Sequence, residues 1–517
     1  MKHRTRIFAT LATIFLLAST AACTQEQTPA SSAPQQKPAG GEEAALQAEE
    51  EKVEQQEPYT VAIAALGDAS TEACSQVAEA ASELLLEKYN TTVTLVRYGY
   101  LEYDQQMQLA LAGGEKLDLI SSGFFSCSLD SASASGQVLA LNDLLSAMPE
   151  LYAAVTEEDW LCMQRGSQIF GVPNGKEHAS GYGFSCVTEM LEQLDYDIST
   201  IQKEEDLEGL LRAVKETFPG VDPVVTSGGE MGGVMSYMDN LGNDYGVLED
   251  CRTDNTQLVN WFATDSYRSI CELHYRWAQE GLIMPDASSN SETASTLIAA
   301  GTAFGYFHNN KPGIEDEDES ATGKEMTMIP LVEAYSTTSN LSECWMIPYQ
   351  CEQPERALQV LSEMYLNPEL GNLFAYGIES EHWEFVDEEK GLIDFPEGVS
   401  ASTTDYSVAA WAWPNELILY VFGAEADPDL WEKTLEFNNT AHQSPGKGFS
   451  FDSSSVLNEI AACNNVEAKY NNPLLAGTLN PDEAIPKFLE ELEAAGVNTI
   501  IEEKQRQFDE WLAAQNA

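Results

Sequence analysis

From Tyr59 onward, continuous apolar runs alternate with helically spaced apolar residues, and this alternation restricts the possible folds more than any other feature. Residues 59–66 form an apolar run closed by Gly67-Asp68, and Cys74, Val77, Ala78, Ala81, Leu84 and Leu85 then recur at helical spacing. This reads as strand, loop and amphipathic helix. A second strand carries Val93, Leu95 and Val96, a helix crosses Tyr103, Met107, Ala110 and Leu111 to Gly113-Gly114, and a third strand spans 117–120. Such alternation predicts right-handed crossovers and a mainly parallel sheet covered by helices. Ligands sit beyond the carboxyl ends of strands in such sheets. The candidate pocket loops are therefore Gly67-Asp68, Tyr98-Gly99 and Ser121-Ser122-Gly123-Phe124.

The middle of the chain is helix-rich and punctuated by Gly228-Gly229 and Gly232-Gly233, and strand character returns at 303–307 and 344–347. Two α/β segments separated by a long insertion predict two lobes joined by more than one crossing, an arrangement that closes on a ligand like a hinge. The expected organisation is a first lobe of residues 58–170 with about 300–350, and a second lobe of about 171–299 with about 351–517.

Before this body, Lys2, Arg4 and Arg6 precede an apolar stretch over 7–18 and small residues through Ala22, the pattern of a secretory signal peptide over 1–22. The stretch is shorter than the ~20 residues needed to cross a bilayer as a helix. The run Ser19-Thr20-Ala21-Ala22-Cys23 resembles the lipobox of bacterial lipoproteins, which implies acylation of Cys23. Thr20 stands where such motifs usually carry Leu. Residues 23–57 are rich in Gln, Pro, Ala, Ser and Glu without aliphatic periodicity, and read as a flexible tether on the extracytoplasmic face of the membrane.

Acidic residues number 84 against 26 basic ones, a formal charge of −58. Phosphate binding requires Lys/Arg clusters, so nucleic acid is excluded as a partner. Besides Cys23 the chain holds nine cysteines, an odd number that cannot all pair internally, and no C-x-x-C suggests a zinc site. Cys74 and Cys344 lie in apolar surroundings, which favours buried thiols over a disulfide framework.

Several motifs occur together in one order. They are Tyr103-Asp104-Gln105-Gln106-Met107 leading to Ala112-Gly113-Gly114-Glu115-Lys116-Leu117-Asp118-Leu119; Ile169-Phe170-Gly171-Val172-Pro173-Asn174; and Trp345-Met346-Ile347-Pro348 followed by Pro354-Glu355-Arg356-Ala357. The C-terminal third adds Tyr376-Gly377-Ile378-Glu379, His382-Trp383, Ser444-Pro445, Gly448-Phe449 and a final helix with Asp509-Glu510-Trp511-Leu512. In this order they resemble the extracellular solute-binding lipoproteins of bacterial ABC importers, in the sugar-binding subgroup that ends in a characteristic C-terminal domain. The resemblance implies a two-lobe, periplasmic-binding-protein-like α/β fold with a hinge and an interlobe cleft. It also implies a non-catalytic receptor, without cofactor or metal, that delivers a sugar or similar small organic solute to ABC permease subunits.

Sugar binding needs aromatic faces together with fixed hydrogen-bonding groups. Trp345 and Trp383 fall in matching segments, and Trp411-Ala412-Trp413 would present two rings on one face of a strand. Truncating Trp345 or Trp383 is therefore expected to weaken binding without unfolding the protein. Asn174 and Tyr182 flank the His178 loop as possible donors at the lobe interface, and Asp68 either caps the following helix or accepts a sugar hydroxyl. The expected ligand set is Asp68, Tyr98, Ser122, Phe124, Asn174, Tyr182, Trp345, Trp383, Trp411 and Trp413. Trp511, on a stripe with Ile501, Lys504 and Phe508, is read as docking the last helix.

There is no G-x-S-x-G, phosphate loop or H-E-x-x-H, and the acidic run 315–319 reads as a solvated loop. The alternatives left open are an anchored glycoside hydrolase, which needs only two carboxylates, and a peptide or adhesion receptor.

Overall fold

The computed structural model describes residues 57–123, 127–233 and 235–515. The signal peptide, Cys23, the tether up to residue 56 and Phe124 lie outside these residues. In chain order the strands of the two principal sheets are β1 (Tyr59–Leu66), β2 (Thr91–Tyr98), β3 (Leu119–Ser121), β4 (Val172–Pro173), β5 (Ser180–Val187), β6 (Asp222–Val224), β7 (Ala303–Asn310), β8 (Met326–Ser336), β9 (Cys344–Met346) and β10 (His442–Gln443). The first sheet has the order β2-β1-β3-β9-β4 and the second β10-β8-β5-β7-β6.

The first three strands are parallel, as their helical crossovers require. Ser70 caps the helix Thr71–Tyr89 by accepting from Ala73 N, and Asn90 closes it in the left-handed conformation. Gly114 closes Tyr103–Gly113 in the same way. β9 then enters antiparallel between β3 and β4, so the sheet is mixed rather than parallel throughout. In the second sheet β5 pairs antiparallel with both β7 and β8.

Sheet membership corrects the expected domain boundaries. The strands at 303–310 and 326–336 belong to the second lobe, because β7 and β8 flank β5. Residues 351–422 belong to the first, since Leu358, Leu361, Phe374, Trp383, Tyr406 and Leu419 share a core with β1 and β3. Apolar content identifies a strand at 303 but not its neighbour, which hydrogen-bond register shows to be β5. The chain thus passes between the lobes three times, across 174–179, 337–343 and 423–441.

The last helices, Leu457–Leu475, Pro481–Ala495 and Val497–Gln515, pack with Asp265–Gln279 around Phe262, Phe488 and Ile500 on the second-lobe side. The Lys504 ammonium is fully buried and donates to the carbonyls of Asn240, Asn243 and Gly246 at 2.9–3.1 Å, while Phe508 and Trp511 close over Phe449. The final helix docks along the stripe that its spacing marks. Residues 314–322 form a helix, not a solvated loop. Asp318 turns inward to accept from Ser185, Tyr306 and His308, and charged residues tolerate this because their partners are provided. All nine cysteines among the described residues are free and buried.

Candidate functional site

The carboxyl ends of β1 and β2 are held by one buried cation. Arg97 donates to Ser407 O at 3.0 Å and lies 4.5 Å from the Tyr406 ring and 5.7 Å from the Trp413 ring. Gly67, at φ +120°, lies so close that a Cβ there would stand 1.9 Å from the guanidinium. Only glycine fits that turn. Asp68 beyond it is exposed; Ser70 caps the next helix instead, so the capping alternative for Asp68 falls away. The Asp68 carboxylate leans over the exit of β2, where a Cβ on Gly99 would meet its Oδ1 at 2.4 Å. Tyr98 is half-buried, and the next residues, Tyr100 and Leu101, are 56% and 93% exposed. Their apolar exposure at a strand exit is not visible in the sequence.

Three of the four expected tryptophans are core residues. Trp345 is 0% exposed in β9, donates Nε1 to Ala412 O at 3.1 Å, and stacks on Trp413 at 5.5 Å. Trp413 also stacks on Phe374 at 5.3 Å. Trp383 donates to Gly377 O at 3.0 Å inside the same core. Their burial corrects the expectation that they present faces to a ligand. Residues 410–412 form a 3-10 helix rather than a strand, so Trp411 and Trp413 diverge. Trp411 alone is half-buried, with Lys176 Nζ 5.5 Å from its ring centre. Ser122 is likewise occupied internally: it accepts from Cys344 N at 3.0 Å, joining β3 to β9.

Asn174 stands where β4 leaves the first lobe. Its Nδ2 donates to Trp411 O at 2.9 Å, whereas its buried Oδ1 has no partner. A buried acceptor left unpaired costs ~1–3 kcal/mol. Tyr182, at the start of β5, lies 6.2 Å from Tyr335, which lies 5.8 Å from Tyr237. Against this aromatic group runs the glycine loop; a Cβ on Gly232 would stand 1.7 Å from Phe307 O, which explains the paired glycines.

Charge concentrates where the chain crosses between the lobes. Lys176, Glu177 and Lys311 neighbour Glu416, whose carboxyl is pushed up to about 8 by burial and by Glu177, against the opposing pull of both lysines. Asp159 accepts from His178 Nδ1 and Lys447 Nζ, each at 2.9 Å. Burial raises its carboxyl, but these two partners outweigh burial and hold it well below the ordinary range. Neither cluster is legible in the sequence, because each joins residues near 159–178 to partners more than 100 residues away, Lys311 and Glu416 in one and Lys447 in the other.

Among the described residues no three His, Cys, Asp or Glu side chains are grouped to hold a metal ion, and no helix is long and apolar enough to cross a membrane. At the strand ends of the two lobes stand the exposed Asp68 carboxylate and Tyr100 ring, the half-buried rings of Tyr98, Tyr182 and Trp411, and the buried Asn174 amide.

The comparisons bear on this arrangement. Residues 445–513 match the family described as Domain of unknown function (DUF3502). The chain is 24% identical over 450 residues, 84% of its length and 87% of the relative's, to a carbohydrate ABC transporter substrate-binding protein of Streptococcus pneumoniae. The N-glycan transport solute binding protein NgtS of Streptococcus pneumoniae superimposes with a TM-score of 0.78 at 21% identity, covering 89% of this chain and 100% of that one. The same protein in complex with Man5GlcNAc gives 0.67 at 21% identity, over 89% and 99% of the two chains. A solute-binding protein of Bifidobacterium longum infantis described as binding HMO gives 0.62 at 14% identity, over 88% and 100%. The resemblance read from the sequence is borne out: the chain is similar along most of its length to sugar-binding proteins of ABC transporters, and it has the two-lobe solute-binding-protein fold.

Proposed function

We propose that this protein is the substrate-binding component of an ABC importer, which captures an oligosaccharide outside the cell and delivers it to a membrane permease. The observation that carries this reading is the likeness along 84% of the chain to a carbohydrate ABC transporter substrate-binding protein. Three crossings between two lobes support it, because a ligand touching both lobes binds their closed arrangement preferentially and so shifts the population toward it. Asp68, Tyr98, Asn174, Tyr182 and Trp411 form the ligand-contacting set in this reading, with Tyr100 and Leu101 at its rim. Trp345, Trp383 and Trp413 support that set from the core behind it. Lipidation of Cys23 anchors the body to the membrane through the tether, and the protein performs no chemistry on its cargo.

Isothermal titration of the mature chain with mannose–N-acetylglucosamine oligosaccharides, other neutral oligosaccharides and short peptides tests the reading. Saturable binding of one saccharide class without release of reducing ends is expected. Reducing-end release would establish the hydrolase instead, and binding of peptides alone would overturn the sugar assignment.

A further inference from the structure

Residues 444–450 include the start, at 445, of the segment that matches a domain of unknown function; they touch both lobes and the second crossing, and reach the first through Asp159. On the second-lobe side, Ser444 Oγ donates to Asp239 Oδ2 at 2.5 Å, and Phe449 packs edge-on against Phe508 at 5.1 Å. On the first-lobe side, Lys447 Nζ lies 2.9 Å from Asp159 Oδ1, and Ser450 Oγ lies 3.4 Å from Asp130 Oδ1. Gly448, at φ +94°, presses so closely on the helix Glu157–Cys162 that a Cβ would stand 2.7 Å from Leu161 Cβ.

The segment and its partners Asp159 and Ser336 bind the crossings. Ser444 N donates to Ser336 O at 2.9 Å and Gly448 N to Thr338 Oγ1 at 2.8 Å, at the second crossing. Asp159 Oδ2 faces His178 Nδ1 at 2.9 Å, and Ser336 Oγ donates to His178 O, at the first. The Asp159 and Lys447 side chains are 5% and 8% exposed, so water cannot readily replace either partner.

We propose that this segment is a strap which sets the angle between the lobes, with Asp159, His178 and Lys447 as its lock. The C-terminal domain, fixed to the second lobe through Phe449, Phe508 and Lys504, thereby reaches across to the first and restricts hinge rotation to arrangements that keep the lock closed. Lys447 and Asp159 are positioning residues in this assignment and need not touch solute. It stands whatever the cargo, and its readout needs none.

The test is a distance distribution between spin labels at Glu87→Cys in the first lobe and Ser320→Cys in the second, both exposed, on the ligand-free mature chain. The labelled chain spans residues 24–517 and so lacks Cys23, and the nine cysteines among the described residues are buried. Lys447→Met and Asp159→Asn are each expected to broaden or shift the distribution, the double variant no further than either alone. Lys469→Met, which breaks an exposed pair with Glu491 in the same C-terminal domain, is expected to leave it unchanged. Lys447→Met carries the test if Asp159→Asn does not fold. Superimposable distributions for wild type and the lock variants, or a double variant altered by the sum of the singles, would overturn the proposal.

Discussion

If Trp345 serves packing and Trp411 the proposed recognition, truncating each to alanine should give opposite results. Trp345 is fully enclosed in β9, stacked on Trp413, with its indole N–H on Ala412 O. Deleting a buried tryptophan costs ~3–5 kcal/mol through lost transfer energy and the cavity left behind. Removing the donor from the Ala412 carbonyl adds ~1–3 kcal/mol, and because the costs overlap the sum is about 5 kcal/mol. Trp411 is half-buried on a 3-10 helix, so its truncation should cost less than ~1 kcal/mol of stability. Urea unfolding followed by tryptophan fluorescence measures both losses, and calorimetric titration of the folded variants measures affinity. The expected result is a large loss of stability for Trp345→Ala and a selective loss of affinity for Trp411→Ala. If Trp345→Ala kept its stability within ~1 kcal/mol and lost binding, the division between core and cleft argued from burial would be wrong.

Other outcomes follow from the same physics. Phe508→Ala should destabilise the docked C-terminal helix by ~3–5 kcal/mol, visible as increased amide exchange over 497–515. Glu416 has a folded pKa raised to about 8, so the fold retains a proton that the unfolded chain releases above ~4.3. Its contribution to stability is therefore undiminished below ~4.3 and declines as pH rises to about 8; Glu416→Gln should flatten that decline in urea midpoints measured from pH 5 to 8. Asp159 has the opposite sign: its depressed folded pKa stabilises the protein above ~3.9, and this is lost as pH falls further. Acid unfolding of Asp159→Asn should accordingly start from lower stability at neutral pH and be less steep. The nine buried thiols should resist an aromatic disulfide reagent in the native state and react together in denaturant; rapid native reaction of several would contradict their burial.

Local order was legible because it is written locally. The β1, helix, β2, helix succession shows in apolar spacing, with breaks at Gly67 and Gly114 where the backbone takes positive φ. The docking stripe Ile501, Lys504, Phe508 and Trp511 obeys helical periodicity and packs as that periodicity requires. Asn174 and Tyr182 lie at the two ends of the first crossing, on either side of the His178 loop. Strand neighbours were not legible: β7 and β8 have the composition of either lobe, and only hydrogen-bond register assigns them to β5.

The sequence by itself determined an α/β body with alternating elements, a strongly acidic composition, and the resemblance to sugar-binding proteins of importers. Tertiary structure alone decided which tryptophans are buried, since Trp345 and Trp411 have equally apolar side chains and differ only in what packs around them. It alone also brought Asp159, His178 and Lys447 together, joining positions up to 288 residues apart. The physical reason is the range of the signals. Periodicity and turn chemistry act over a few residues, whereas burial and charge pairing depend on contacts that exist only once the lobes have formed.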